Sequence, residues 1–502
     1  METIDLLLAG LESAMAFQNL LAILVGVLLG LSVGALPALG PAAGVAILLP
    51  AIVNLDPTVA IAGLAGVYYG AMYGGAVTSI LIGVPGDSAA MMTTLDGYPM
   101  AMKGEAGRAL GMAVYASFTG GIISLVLMTF LSAWIARAAL AFGPAEMTAL
   151  IVLALCLVTV LGGDDAFKGF VGLGLGLWVG MVGLDPISGT PRFTFGSIHL
   201  LEGIDFTIVV VGMYGLGQMF GALGTKAGGR RASAEYSMSS LFPRFSDFLR
   251  CKWTLATSSL IGFFVGILPG AGATAATVFA YATAKRASKA PDEFGKGAIE
   301  GIAAPEAANN AASYSAMIPL FTLGIPGSGT TAVMLGGLLM LGLEPGPRLF
   351  SQQPEFIWTL IGTFYVGNIV LVFLTLALIP LLAALVFVRI SILFPIVVAV
   401  VIFGIYSVSY NIADVFICLV FGVAGYVFHK LRYPMLPLLL GVILGPLLER
   451  AIRRSLIISN GDMSVFWNSA ISATVLAIAV VLIVWAVVAP LIRHFTKGSE
   501  HA

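Results

Sequence analysis

Gly324-Ile325-Pro326-Gly327-Ser328-Gly329-Thr330-Thr331 lies between two apolar stretches, and Gly83-Val84-Pro85-Gly86-Asp87-Ser88 repeats its core 241 residues earlier. Pro removes a backbone donor and clashes with the preceding helical turn, while Gly lets the chain reverse without a Cβ. A Pro-Gly inside apolar sequence therefore predicts a broken helix. Its freed N–H and C=O groups survive at membrane depth only where they are buried in protein or line a wet cavity. A second pair precedes the first in each half. Gly30, Gly34-Ala35-Leu36-Pro37 and Gly40 are answered by Gly262, Gly266-Ile267-Leu268-Pro269 and Gly272, at a constant offset of 232. Two ordered matches with a small insertion between them indicate an internal duplication.

The surrounding composition agrees with a membrane setting. Of 502 residues, 59% are apolar and only 10% charged, against about a quarter charged in a soluble domain. The mean hydropathy is +1.03. This excludes a soluble enzyme, a disordered chain and a nucleic-acid binder, and the net charge of −1 gives no field that would gather polyanions. Cys156, Cys251 and Cys418 are far apart, as are the four histidines, so neither a disulfide framework nor a zinc site is indicated. Residues 1–12 lack the basic start of a cleavable signal, so the first apolar stretch is expected to be kept as a span.

Apolar stretches fit to form membrane helices run at about 16–36, 40–53, 57–84, 106–136, 146–162, 166–183 and 203–223. They resume at 254–268, 270–284, 297–325, 328–343, 355–388, 391–409, 412–428, 434–448 and 466–490. The expected organisation is a first transmembrane repeat over 1–223 and a basic cytoplasmic connector over 224–252. A second repeat with extra helices follows over 253–460, then a C-terminal helix and tail over 461–502. The flanks of the repeats differ in sign. Glu2, Asp5, Glu12 and Asp56 border the first; the connector and Lys285, Arg286 and Lys289 border the second. The fold class expected is therefore an all-α polytopic membrane protein with two inverted repeats. Its helices are broken or re-entrant, bent at Pro37 and Pro269 and broken at the Pro-Gly motifs, a build found in secondary transporters.

A helix that restarts after Pro-Gly offers N–H groups and a positive dipole end. Ser88, Ser328, Thr330 and Thr331 add neutral donors, and Pro37, Gly40, Pro85, Gly86, Pro269, Gly272, Pro326 and Gly327 shape the backbone around them. Together they suit a carboxylate. Upstream carbonyls near Gly324, helped by Asn309 or Asn310, suit Na⁺. Glu306 stands four residues from Asn310, on one helical face, either as a coupling carboxylate within the membrane or as a hydrated group at its interface. Asp87 is a second candidate for coupling. Asp96, in Thr93-Thr94-Leu95-Asp96-Gly97-Tyr98-Pro99, reads as a capping or loop residue. Gly172-Leu173-Gly174-Leu175-Gly176 reads as close helix packing, and Arg450, Arg453 and Arg454 as cytoplasmic interface anchors. Gly324 to Thr331 has the look of a P-loop but lacks its Lys and a preceding strand, which rules out a nucleotide site.

These motifs resemble a known family. Gly34 to Pro41, Tyr68-Tyr69-Gly70-Ala71-Met72-Tyr73-Gly74-Gly75, Thr93 to Pro99, Gly297 to Asn310, and Gly324 to Thr331 followed by Gly342 to Pro347 are similar to the TctA family, the large membrane subunit of tripartite tricarboxylate transporters. The resemblance covers nearly the whole chain. It implies a multi-pass protein of the bacterial inner membrane and secondary, cation-coupled uptake of small organic carboxylates. It also implies a small TctB-like membrane subunit and a periplasmic TctC-like binding protein as partners, with Na⁺ or H⁺ as coupling ion and no other cofactor. Asp87 departs from the family pattern, in which a neutral Thr or Asn is commoner after the Pro-Gly. An intramembrane enzyme is the rival reading, but no His lies near Ser328 in sequence. A passive anion channel is the other rival.

Overall fold

The computed structural model describes residues 2–36, 39–139, 142–163, 165–185, 188–223, 241, 244–385, 388 and 390–498. It is an all-α protein, with one short strand pair, Gly183–Leu184 against Pro191–Arg192, among the described residues. Among the described residues, eight helices are long and apolar enough to cross a membrane. The chain is a polytopic membrane protein.

The chain opens with α1 (Glu2–Ala14) and α2 (Phe17–Gly34), then α3 (Pro41–Leu48) and a 3₁₀ turn, Leu49–Ile52. The sequence reading missed α1, whose acidic residues hide its apolar stripe. α4 (Pro57–Ile82), capped by Asp56, is the central helix, and α5 (Met91–Met102) follows the first Pro-Gly break. α6 (Ala106–Ala139), α7 (Pro144–Leu161) and α8 (Ala166–Gly180) come next. The stretch expected as one span over 203–223 is α9 (Phe206–Val210) and α10 (Gly217–Ala222), joined by a π-helical turn, Val211–Leu216.

α11 (Phe245–Ile267) comes next, so residues 245–252 of the expected connector are helical. Asp247 accepts from the Arg244 N–H at 3.1 Å and ties down that helix start. Most of the expected connector, 224–240 and 242–243, lies outside the described residues. The chain turns back at 268–271 into α12 (Gly272–Ala287). α13 (Glu300–Ser315) and α14 (Met317–Leu323) lead to the second break, and α15 (Gly329–Met340) follows it. Beyond lie α16 (Pro347–Gln352), α17 (Pro354–Leu385), α18 (Ile390–Ser409), α19 (Ile412–Lys430), α20 (Met435–Ile458), α21 (Val465–Asn468) and α22 (Ala470–Gly498). α20 runs ten residues past its apolar stretch and carries Arg453 to Asp185, 2.8 Å away. Arg192 meets Glu449 at the same distance. These ion pairs fasten the strand pair to α20.

Small residues let the helices touch. A Cβ at Gly30 would stand 2.5 Å from the Val67 carbonyl oxygen, and one at Gly34 would strike the Ala71 carbonyl. In the second half Gly262 strikes Ala308 and Gly266 approaches Ala312. Each second-half contact lies at the offsets 232 and 241 from its first-half equivalent, so the duplication in sequence is a duplication of packing. The central helices α4 and α13 are buried, whereas α18 and α19 show Phe403, Phe416 and Val420 outward, as a lipid-facing surface requires.

Candidate functional site

The two Pro-Gly breaks have the same backbone. α4 ends on Gly83 at φ 70°, ψ 20°, and α14 ends on Gly324 at φ 70°, ψ 22°, the left-handed conformation that favours glycine. After each, the chain passes close beneath a helix end. A Cβ at Gly86 would stand 2.6 Å from the Gly34 carbonyl oxygen, and one at Gly327 would stand 3.0 Å from that of Gly266. The Gly270 N–H donates to the Gly327 carbonyl at 3.2 Å, which pins the second tip to the 268–271 turn.

Between the breaks lies a cavity of about 960 Å³. The first half contributes Gly40, Tyr68, Pro85, Gly86, Asp87 and Ser88; the second contributes Gly272, Thr274, Ser328 and Thr330. The tips cross over to the opposite half. Ser88 Oγ lies 2.7 Å from Thr274 Oγ1, and Tyr68 Oη lies 3.4 Å from Ser328 Oγ. Besides the phenols of Tyr68 and Tyr214, Asp87 and His429 are the ionisable side chains of the lining, and no Lys or Arg lines the cavity among the described residues.

The breaks differ in how their helix ends are satisfied. Asp87 Oδ1 accepts from the Ala90 N–H at 2.8 Å, so the start of α5 already holds an internal carboxylate. At α15 the cap is neutral: Ser328 N–H donates to Thr331 Oγ1 at 2.8 Å, and Thr331 N–H donates to Ser328 Oγ at 3.3 Å. α15 thus presents a positive dipole end and no resident charge to the cavity.

Of the residues expected at a solute site, Gly40, Pro85, Gly86, Ser88, Gly272, Ser328 and Thr330 border this cavity. Pro269, Pro326, Gly327 and Thr331 do not line it; Gly327 and Thr331 hold the tip in place. Pro37 lies outside the described residues. The expected ion group does not assemble as one site. Gly324 lies fourteen positions beyond Asn310 through α13 and α14, a run of roughly 20 Å at about 1.5 Å per residue. Gly324 instead sits against the Pro345 carbonyl.

Glu306 is fully buried in α13 and so is not a hydrated group. Thr93 Oγ1 donates to its Oε1 at 2.5 Å and Ser117 Oγ to its Oε2 at 3.0 Å. Neither partner is a base. One turn away, both polar atoms of the Asn309 side chain and Oδ1 of Asn310 are buried without partners, while Asn310 Nδ2 donates to the Glu306 carbonyl at 3.2 Å.

The family model for the tripartite tricarboxylate transporter TctA family matches residues 20–440. The chain belongs to the TctA family. It is a membrane protein of the tripartite tricarboxylate transporters. Two curated proteins of Agrobacterium vitis are similar. An uncharacterized 52.8 kDa protein in the TAR-I ttuC' 3' region is 40% identical over 493 residues, 98% of each chain. An uncharacterized protein in the TAR-II ttuC' 3' region is 42% identical over 232 residues, 46% of this chain and 96% of that one. No solved structure matches.

In this TctA chain four polar cavity residues escaped the sequence reading: Tyr214, Gln218, Thr274 and His429. Tyr214 lies in the π-helical turn, where a Cβ on Gly329 would stand 2.6 Å from its hydroxyl, and Gln218 Oε1 is buried without a partner. A π turn has no hydrophobic period of its own to read, and these residues meet the breaks only through the tertiary fold.

Proposed function

We propose that this TctA subunit imports small organic carboxylates across the bacterial inner membrane, coupled to a cation. In this reading the solute binds in the cavity between the breaks, after delivery by a periplasmic TctC-like binding protein and with a TctB-like small membrane subunit beside it. The observation that carries the reading is the neutral, capped start of α15 facing a cavity of about 960 Å³. A carboxylate there meets the dipole end together with Thr330 and Ser88, while Asp87 disfavours a second negative group at α5. A solute anion without a fixed cation in the cavity, moving into a negative-inside cell, works against about 2.3 kcal/mol per charge per 100 mV. Co-entering cations offset that cost.

Two sites suit the coupling ion. The unpartnered oxygens of Asn309 and Asn310 are hard ligands for Na⁺. Glu306, buried among hydroxyls and with no basic partner among the described residues, suits H⁺. The proton reading is favoured, because a buried carboxylate without a counter-charge is costly unless it takes up a proton.

An inverted arrangement of the two halves is part of the same reading. Tyr69 stacks on Tyr314 at 5.5 Å, Thr93 reaches Glu306, and Asp96 reaches Gly295, Gly297 and Ala298. These contacts interlock the halves, and the acidic flanks of the first against the basic flanks of the second support opposite orientations.

The test is uptake of labelled citrate and a panel of di- and tricarboxylates into proteoliposomes holding the complete transporter. Ser328→Ala with Thr330→Val is expected to weaken uptake at unchanged protein abundance, and counterflow should occur, as a carrier requires. A pH gradient should drive uptake, and Glu306→Gln should remove that drive. Uptake driven by Na⁺ alone and weakened by Asn310→Ala would transfer the coupling to the Asn pair. Solute leak without counterflow would overturn the carrier itself.

A further inference from the structure

The hydroxyl groups around Glu306 continue into a second, much smaller cavity. Its volume is about 10 Å³, and Tyr73, Val77, Ser117 and Thr375 line it with apolar neighbours from α6 and α17. About that much space is needed to seat one water. Tyr73, Ser117 and Thr375 are all at most 2% exposed. Tyr73 Oη and Thr375 Oγ1 have no hydrogen-bond partner. Ser117 Oγ donates its proton to Glu306 Oε2 at 3.0 Å, which leaves its own lone pairs free to accept. Most of the wall is apolar, and the polar groups on the residues lining it are two orphaned hydroxyls and one acceptor, which a single buried water can satisfy.

We propose that this cavity is a water site and that the water is the proton donor to Glu306, through Ser117. The proposal rests on Glu306 as the coupling carboxylate. A proton arriving on the water passes to Ser117 Oγ as the Ser117 hydroxyl proton moves to Glu306 Oε2. The water returns to neutral and the carboxylate becomes a carboxylic acid; no other group changes charge. The route lies between α4, α6 and α17, and none of the residues lining it borders the solute cavity.

The water is tested by thermal unfolding of the purified full-length chain carrying Tyr73→Phe, Thr375→Val and both. With a shared water, each single variant lowers the unfolding midpoint and the pair lowers it no further, because either change already releases the water. In a dry cavity each variant removes an unsatisfied hydroxyl, so the midpoint rises and the two rises add; that result overturns the site. The relay is tested by Ser117→Ala in proteoliposomes of the complete transporter with labelled citrate. Loss of pH-gradient-driven uptake, with solute counterflow retained, is expected. Unchanged gradient-driven uptake beside a coupled unfolding pair would make the water structural and overturn the relay. The unfolding experiment does not depend on what drives transport, so it reports on the water even if Na⁺ proves to be the coupling ion.

Discussion

Asp96 shows how much a single side chain carries here. It is fully buried in α5, and its Oδ1 accepts from the N–H groups of Gly295, Gly297 and Ala298 at 2.8–2.9 Å, while Tyr281 Oη donates to its Oδ2 at 2.8 Å. A carboxylate from the first half thus satisfies the backbone ahead of α13 in the second. The capping role read from sequence is correct in kind, but the helix it serves is two hundred residues away. Nearby, Lys103 Nζ donates to the Lys296 carbonyl at 2.6 Å, and Arg250 bridges Glu293 and Glu300 at 2.8 Å each. The exposed Glu293 carboxyl is held below the usual range by Arg250. Hydrogen bonds to a charged group contribute about 1.5–3 kcal/mol, so Asp96→Ala should destabilise the chain by roughly 3 kcal/mol or more. Asp96→Asn, which keeps one acceptor, should cost less. Unfolding midpoints of the two variants check this, and an Ala variant as stable as the parent would remove the clamp from the account.

At the scale of the element, glycines do unequal work within one helix. The run Gly172 to Gly176 of α8 was expected to pack closely throughout. The structure separates its members: a Cβ on Gly176 would collide with the Leu438 carbonyl of α20, whereas one on Gly174 meets nothing within 4 Å. Gly176→Ala should therefore push α8 from α20 and lower the unfolding midpoint. Gly174→Ala should raise stability by about 0.5–1 kcal/mol, because alanine is the better helix former and fills open space. Equal effects of the two substitutions would mean that α8 does not pack as described. The same contrast separates the breaks: both end a helix on a left-handed glycine, yet one is capped by Asp87 and the other by Ser328.

For the whole molecule, the decisive expectation is opposite orientation of the halves. Asp56 and Lys289 follow equivalent short helices and are both exposed, while Cys156, Cys251 and Cys418 are buried. Single cysteines placed at 56 and 289 should react with a membrane-impermeant maleimide from opposite sides of inverted and right-side-out vesicles. Labelling of both from one side would refute the inverted arrangement while leaving the duplication intact.

The sequence alone determined the solvent, the element type and the duplication. In a bilayer only helices and closed barrels satisfy the backbone, and apolar runs without alternation select helices; Pro-Gly fixes where a helix must stop, and constant offsets between motifs survive without any fold to interpret them. It also marked Glu306, because a carboxylate in apolar sequence is conspicuous wherever it folds. It could not say which polar residues meet. Asn309, Asn310 and Gly324 read as one ion site by proximity in sequence, but two helical segments hold Gly324 apart from the pair. Tyr214, Gln218, Thr274 and His429 carry no motif and reach the cavity only because the π-helical turn, α10, α12 and α19 fold around the breaks. The partners of Glu306, Thr93 and Ser117, come from α5 and α6 across the interface between the halves. A local pattern records the backbone's own constraints, whereas a site assembled from distant helices is set by packing, and packing is a property of the whole chain.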